Sequence, residues 1–539
     1  MIDHSARRAL SLFIPMALAL SAPAAVGADP ASMAVPVATA RDLGDDASGR
    51  LLVFAQRVEP GAKPQEEVDT SAFDPTGTAI AAREVAHLAP GAPALVGTDT
   101  DAFPTPWSDL PPGTYRLQAV FDRNHDYNYG GRGPGDLVSP VVEATLPGPI
   151  PTLTLDDEIP ARDFAARLAA MPAPRRAEIE AGLKNVEAVD VPSQLMTRFS
   201  GRATSIKGWV ALPPGYADGT QTYPTAYSDG GFGSTLDSAR MSAAGAATLM
   251  AKGEMPPMIW VFLDHHIATG THEFADSANN GPWGAALTTE AIPALEAKYR
   301  MDARASGRFL NGHSSGGWST LWLQVAYPKI FGGTWPTSPD PSDFHDFTNI
   351  DIYAPNANAY VGADGEPLPL IRDKGKVIAT LKEFAQLEAA LGAYGGQFAS
   401  FDWVFSPRCP DGRPCPLFDR ATGRVDPAVA AYWREHYDVA HIVARDWPTL
   451  KPDLDGKIHL IVGTADTFYL DGPAHRLKAV LDGLGAKSSF CFVPGRTHFD
   501  LYAEGEDRMA LMKTIAKEMY AVARPGAKPG NGSQGGLAQ

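Results

Sequence analysis

The chain has 539 residues, with 62 Asp and Glu against 46 Lys and Arg and a formal net charge of −16. That acidic balance excludes nucleic acid or an anionic membrane surface as a partner held by general attraction. The length allows two or more domains with an ample core, and three cysteines are too few for a disulfide scaffold.

Arg7 and Arg8 precede an apolar run from Ala9 to Leu20, and the small residues Ala24-Ala25-Val26-Gly27-Ala28 follow. This order predicts a secretory signal over residues 1–28, cleaved after Ala28. The run is shorter than the ~20 apolar residues a membrane span needs, and no later stretch is long enough. A secreted or periplasmic protein is expected.

Residues 48–150 are rich in Pro, Gly and Thr, with short apolar runs at Leu51–Phe54 and Tyr115–Val120, the second fed by the turn Pro111-Pro112-Gly113. Short strands between turn residues predict a small β-sandwich domain. A helical connector is expected over 151–190, where Ala, Arg, Glu and Leu recur at helical spacing around Pro172 and Pro174. From 191 to 524 strand and helix signals alternate, which predicts an α/β domain with a mostly parallel sheet. Strands are expected at Ile206–Leu212, Ala226–Ser228, Met258–Leu263, Arg308–Leu310, Ile458–Val462 and Phe490–Val493. Helices are expected at Ala286–Tyr299, Trp318–Tyr327 and Ala474–Leu484. The tail, 525–539, is Gly-, Pro-, Ser- and Gln-rich and predicted to be disordered.

Gly312-His313-Ser314-Ser315-Gly316 is a G-x-S-x-G motif directly after one predicted strand and before a predicted helix. A nucleophile on so tight a turn has strained backbone, and the flanking glycines let neighbouring chain approach without clashing Cβ atoms. A serine hydroxyl needs a base within hydrogen-bond reach, and in this fold the acid and then the histidine follow in the chain. Asp466, in Gly463-Thr464-Ala465-Asp466, lies just past one strand end, and His498, in Arg496-Thr497-His498, just past the next. His459, His475, His436 and His441 fall within predicted strands or near helices. Asp471, which begins Asp471-Gly472-Pro473 and reads as a helix start, is the rival acid. The oxyanion needs preorganised N–H donors: the backbone of Ser315, and Gly231 or Phe232 in the loop Asp229-Gly230-Gly231-Phe232-Gly233.

With these residues in view, the region from about 190 to 520 resembles the esterase D-like branch of the α/β-hydrolases. That branch includes feruloyl and acetylxylan esterases, S-formylglutathione hydrolase, enterochelin esterases and mycolyltransferases. The resemblance is carried by Tyr223-Pro224 before the glycine loop, Asn280-Gly281-Pro282-Trp283-Gly284 before a helix with Glu290 and Pro293, the elbow at Ser314, Gly463-x-x-Asp466 and Thr497-His498. It implies an α/β-hydrolase fold and a triad of Ser314, Asp466 and His498. Ser315 stands where many relatives have Met or another larger residue. The β-domain resembles the N-terminal sandwich of enterochelin-type esterases in placement only.

Asp264-His265-His266, with His272 and Glu273, contains metal-ligand types at a spacing that fits no zinc pattern. His265, His266 and Trp283 are read as lining the substrate cleft, with Trp335 a further aromatic candidate. Asp122, Asn124, Asp126 and Asn128 follow the opening of a calcium loop, but Tyr127 and Gly133 stand where that loop needs Gly and Glu; an Asx-rich turn is the plainer reading. No metal and no cofactor are expected. Cys409 and Cys415 are close enough to pair after export, and Cys491, in Phe490-Cys491-Phe492, reads as a buried small hydrophobe.

The expected activity is hydrolysis of carboxylic esters through an acyl-enzyme, on acylated carbohydrate, phenolic or siderophore esters. The alternatives are an acyltransferase with a sugar or lipid acceptor and a non-enzymatic glycan-binding module. Insertions between about 340 and 450 are expected to form the rim of the cleft; oligomeric state is left open.

Overall fold

The apolar run Gly49–Arg57 is buried almost without alternation because both faces of its sheet are covered. The computed structural model describes residues 33–42, 48–97, 100–127, 131–161 and 163–526. The expected signal, Asn128 and residues 527–539 of the expected tail lie outside them. Gly49–Arg57 and Gly113–Asp122 are central in a sheet with order Asp157–Glu158, Leu137–Val138, Gly113–Asp122, Gly49–Arg57, Ala79–Val85, Asp101–Phe103. Leu51, Val53, Leu117 and Phe121 face a smaller sheet of Ala94–Val96, Val35–Ala38 and Leu153–Thr154. Leu52, Phe54, Ile80 and Val120 point the other way, onto Leu387, Ala390 and Leu391.

Those three residues belong to the helix Leu381–Leu391 of the long segment before the predicted acid. Arg50, buried at this junction, donates from Nε and Nη2 to the carbonyl of Ala390 at 3.1 and 2.7 Å, and pairs with Glu84 and Asp101. Its guanidinium thus satisfies a carbonyl at the helix C-terminus, where the helix cannot. The small sheet draws on Val35–Ala38 and Leu153–Thr154, on either side of the expected 48–150 span.

The expected connector is helical at Phe164–Ala169 and Ala173–Leu183. Beyond these it becomes strand β1 (Val186–Pro192), an edge strand whose exposed positions hid it in the sequence. It begins the eight-stranded main sheet, with β2 (Ser205–Ala211), β3 (Thr225–Asp229), β4 (Ile259–Leu263), β5 (Arg308–His313), β6 (Gly333–Thr337), β7 (His459–Gly463) and β8 (Ser489–Val493). The order is β1-β2-β4-β3-β5-β6-β7-β8. Only β2 opposes its neighbours; β4, β3, β5, β6, β7 and β8 are mutually parallel. Helices α1 (Leu236–Ala251), α2 (Ser315–Ala326) and α3 (Asp471–Gly483) make crossovers. The α/β-hydrolase fold, with a mostly parallel sheet behind a β-sandwich domain, is present.

The connection after β3 leads outward to β4, whereas β5 lies on the other side of β3. Such a reversal opens a crevice at the carboxyl ends of the strands. It brings the loop after β3 beside the elbow after β5.

Candidate active site

Ser314 sits between β5 and α2 with φ 59° and ψ −125°, a backbone conformation that costs of order 1–3 kcal/mol outside glycine. Its surroundings over-determine it. Ser314 N donates to the carbonyl of Thr337 at 3.0 Å, and its own carbonyl accepts from the N–H groups of Trp318 and Asp340 at 3.0 and 3.2 Å. A Cβ on Gly312 would stand 2.0 Å from the carbonyl oxygen of Gly316, and one on Gly316 would stand 2.2 Å from that of Gly230. The elbow therefore needs hydrogen at both sites.

Nδ1 of His498 lies 2.9 Å from Oδ2 of Asp466, and both side chains are buried. The other oxygen, Oδ1, accepts from the N–H groups of Phe468 and Leu470 at 3.0 and 3.4 Å. Burial works to raise the Asp466 carboxyl, but His498 and these hydrogen bonds outweigh it and hold it below the usual range. The rival, Asp471, is the first residue of α3 rather than its cap. Its carboxylate accepts from Arg372 Nη2 at 2.8 Å, while Arg372 Nε donates to the carbonyl of Asp466 at 2.8 Å. One guanidinium ties the two aspartates together and leaves only Asp466 facing the histidine.

Gly231 lies against the nucleophile: a Cβ there would be 3.2 Å from Cβ of Ser314. Its carbonyl accepts from Nε2 of His265 at 3.1 Å, and Nδ1 of His265 stands 3.1 Å from Oδ1 of Asp229. With an acceptor beside each nitrogen, the ring is suited to the doubly protonated form. Burial opposes that charge, yet Asp229 and the Gly231 carbonyl prevail and hold the His265 pKa above the ordinary value. His265 is buried behind the loop, outside the cleft lining. The Gly231 carbonyl thus points away from the cleft, and in a trans peptide the N–H of Phe232 points the opposite way.

Beneath the elbow, Ser315 Oγ donates to Oδ2 of Asp340 at 2.6 Å and accepts from Gln397 Nε2 at 3.3 Å. Ser315 thus holds a buried polar network where a larger residue would fill the space. Burial pushes Asp340 up to about 6 despite the Ser315 hydrogen bond. The ring of His313 lies 4.5 Å from that of His498, tilted by 40°, and burial, with His498 next to it, lowers its pKa to about 3. Glu273, wholly buried, is pushed well above the ordinary carboxyl value by burial, with Asp340 and Asp229 adding repulsion.

Ser314, His498, His313, Gly231 and Phe232 line one cleft of about 910 Å³. The segment after β6 contributes Thr348, Leu370, Phe384, Gln397, Phe398 and Phe401. The β-domain contributes Ala72, Phe73, Asp126, Gly131, Gly133 and Pro134. Of the residues expected in the cleft, His266 lines it. His265 instead supports the loop after β3, and Trp283 is buried with its ring stacked 3.8 Å from His272, outside the lining. Trp335 belongs to β6, a strand absent from the expected set; it is fully buried, donates to Glu518 and stacks on His459. Asp340, Asp229, Gln397 and Phe73 were not singled out in the sequence. A strand-end carboxylate in Ser338-Pro339-Asp340 was the one local signal for Asp340.

Cys409 and Cys415 form a disulfide, and Cys491 is free and only half-buried. Asp122 and Asp126 lie with Asp136 so that one carboxylate oxygen of each falls within 4.8 Å of the others. Asn124, which the calcium reading needs, instead donates to the carbonyl of Pro134. Asp122 accepts from the N–H groups of Asn124, Asp126 and Tyr127, which makes an Asx-rich turn. Among the described residues no helix is long and apolar enough to cross a membrane.

The family model described as "Putative esterase" matches residues 202–480. No curated protein matches the chain. Among solved structures, a ferulic acid esterase is 14% identical over 63% of this chain and 97% of its own, with a TM-score of 0.38. A ferulic acid esterase from Anaeromyces mucronatus, in complex with ferulic acid, is 15% identical over 62% and 88%, with a TM-score of 0.34. An S-formylglutathione hydrolase from Agrobacterium tumefaciens is 14% identical over 63% and 94%, with a TM-score of 0.35.

Proposed function

The chain belongs to the "Putative esterase" family and is a carboxylesterase-type hydrolase, and we propose that it is an exported serine enzyme working through an acyl-enzyme. Ser314 is the nucleophile, His498 the general base and Asp466 the residue that orients and charges the histidine. The observation that carries this reading is the strained Ser314 sharing a cleft with His498, whose Nδ1 is held 2.9 Å from a buried Asp466.

His498 takes the serine proton as Ser314 Oγ attacks the ester carbonyl. The backbone N–H groups of Ser315 and Phe232 hold the oxyanion. His498 then protonates the leaving alkoxide, and water repeats the sequence on the acyl-enzyme. No step calls for a metal or cofactor. The aromatic walls of the cleft favour a substrate with a large apolar part over a short aliphatic ester, which fits phenolic esters among the classes considered. Export is supported by the charged, apolar, small-residue order of residues 1–28 and by the Cys409–Cys415 disulfide, which persists in oxidising compartments.

A fluorophosphonate probe tests the reading directly. Wild-type protein should be labelled on Ser314 and should hydrolyse aryl esters, and Ser314→Ala should do neither. Labelling elsewhere, or undiminished turnover by the variant, removes the serine mechanism.

A further inference from the structure

Phe73 and Phe499 are 45% and 66% exposed, although large apolar side chains usually find cover. Their rings meet edge to face with centroids 5.8 Å apart. Phe73 comes from the β-domain, whereas Phe499 directly follows His498. Phe468 completes the group, 6.0 Å from Phe499 and 4.9 Å from the ring of His498. All three line the cleft. Exposed aromatic rings gathered at one mouth mark a recognition surface rather than stray apolar residues.

We propose that Phe73, Phe468 and Phe499 form the subsite for the leaving alcohol, so that the β-domain sets alcohol specificity and the enzyme prefers esters of bulky aromatic alcohols. The inference rests on His498 being the proton donor. That imidazole must reach the leaving oxygen, so the alcohol departs on the His498 side of Ser314, among the rings that flank it. The trio presents no side-chain donor or acceptor, so an aromatic alcohol gains ring contacts there while a polyol gains no side-chain hydrogen bonds from it. The acyl half is then left to the rest of the lining, which includes Phe384, Phe398 and Phe401.

Phe73 is held in place rather than carried on a free module. Its N–H donates to Ser71 Oγ at 3.1 Å. The β-domain beneath it packs on Leu387 and Leu391 and is anchored through Arg50 to the carbonyl of Ala390. The helix that receives the domain also carries Phe384 of the cleft lining.

The test compares full-length wild type and Phe73→Ala on two matched series. The alcohol series is 2-naphthylmethyl acetate against ethyl acetate; the acyl series is ethyl 2-naphthylacetate against ethyl acetate. Phe73→Ala should lower the naphthylmethyl-to-ethyl ratio of kcat/KM about tenfold, the size of one lost aromatic contact. The ratio in the acyl series should stay within about twofold. A fall in the acyl ratio instead, or an alcohol ratio that does not move, overturns the assignment. A wild type that neither turns over any of these esters nor takes the fluorophosphonate label would instead remove the serine mechanism itself.

Discussion

Asp466 and Asp471 are five residues apart in the chain, yet Arg372 separates their roles, donating to the backbone carbonyl of one and to the carboxylate of the other. Asp466 is left with its carboxylate on His498. Asp466→Asn should keep the fold and lower kcat by up to about 10⁴-fold, because an amide favours the wrong imidazole tautomer and cannot stabilise the imidazolium. Asp471→Asn loses an ion pair whose side chains are only 20% and 23% exposed and should cost about 1–2 kcal/mol, with kcat nearly intact. Measuring kcat and thermal midpoints of both variants checks the assignment. If Asp471→Asn is the inactive protein, the acid is wrongly placed.

The strained turn at Ser314 separates catalysis from stability. Ser314→Ala and Ser314→Gly should both lose turnover by about 10⁴-fold or more. Alanine keeps the unfavourable φ of 59°, whereas glycine relieves it. That relief, of order 1–3 kcal/mol, exceeds the 0.5–1 kcal/mol by which glycine favours the unfolded chain. Ser314→Gly should therefore unfold at higher denaturant than Ser314→Ala. The reverse order would mean the backbone angle carries no strain.

What the sequence made legible is local. The elbow is five consecutive residues whose two glycines let neighbouring backbone close in, and Asp466 and His498 each follow a strand end, so their loops share an edge. Residues whose roles depend on distant partners stayed hidden. Asp340 matters because Ser315 donates to it, His265 because it lies between Asp229 and Gly231, and Phe73 because the β-domain docks beside His498. Tryptophan was misleading for a related reason. Trp283 and Trp335 are large enough to wall a cleft, but each is itself buried and found a histidine ring to stack on. Asp471 begins a helix as its Gly-Pro context indicates, but its carboxylate accepts from a cation 99 residues away instead of capping that helix.

Asp340 gives a pH signature. Its carboxyl is raised from 3.8 to about 6, chiefly by burial. The folded state then holds a proton that the unfolded chain has released, so stability is highest below about pH 4 as far as this group is concerned. It declines as pH rises toward 6 and is level above that. Two units correspond to about 3 kcal/mol. Asp340→Asn removes the titration and leaves an oxygen for the Ser315 hydroxyl. The unfolding free energy of the variant minus that of wild type should therefore rise by about 2–3 kcal/mol between pH 4 and pH 7. A difference that stays flat with pH means Asp340 is not perturbed.

His265 tests whether the loop after β3 is a preorganised oxyanion donor. Its Nε2 and the N–H of Ser234 both hold the Gly231 carbonyl, at 3.1 and 3.0 Å, and with that carbonyl fixed the Phe232 N–H faces the opposite way. The imidazole does not reach the cleft, so its removal should act on transition-state stabilisation and little on ground-state binding. His265→Ala should lower kcat by up to about 10²-fold, the effect of losing one oxyanion donor outright, with KM within about threefold. His265→Gln, which can still donate to Gly231, should recover part of the loss. Burial opposes charge on the ring, while Asp229, the Gly231 carbonyl and Asp264 favour it and prevail. Because the folded pKa lies above 6.5, the charged contact is complete below that pH and is lost as pH rises through the folded value. Wild-type kcat should accordingly decline on the alkaline side, and His265→Gln should not show that decline. A purely structural role predicts something else: a lower thermal midpoint, kcat and KM that change together, and an unaltered pH profile.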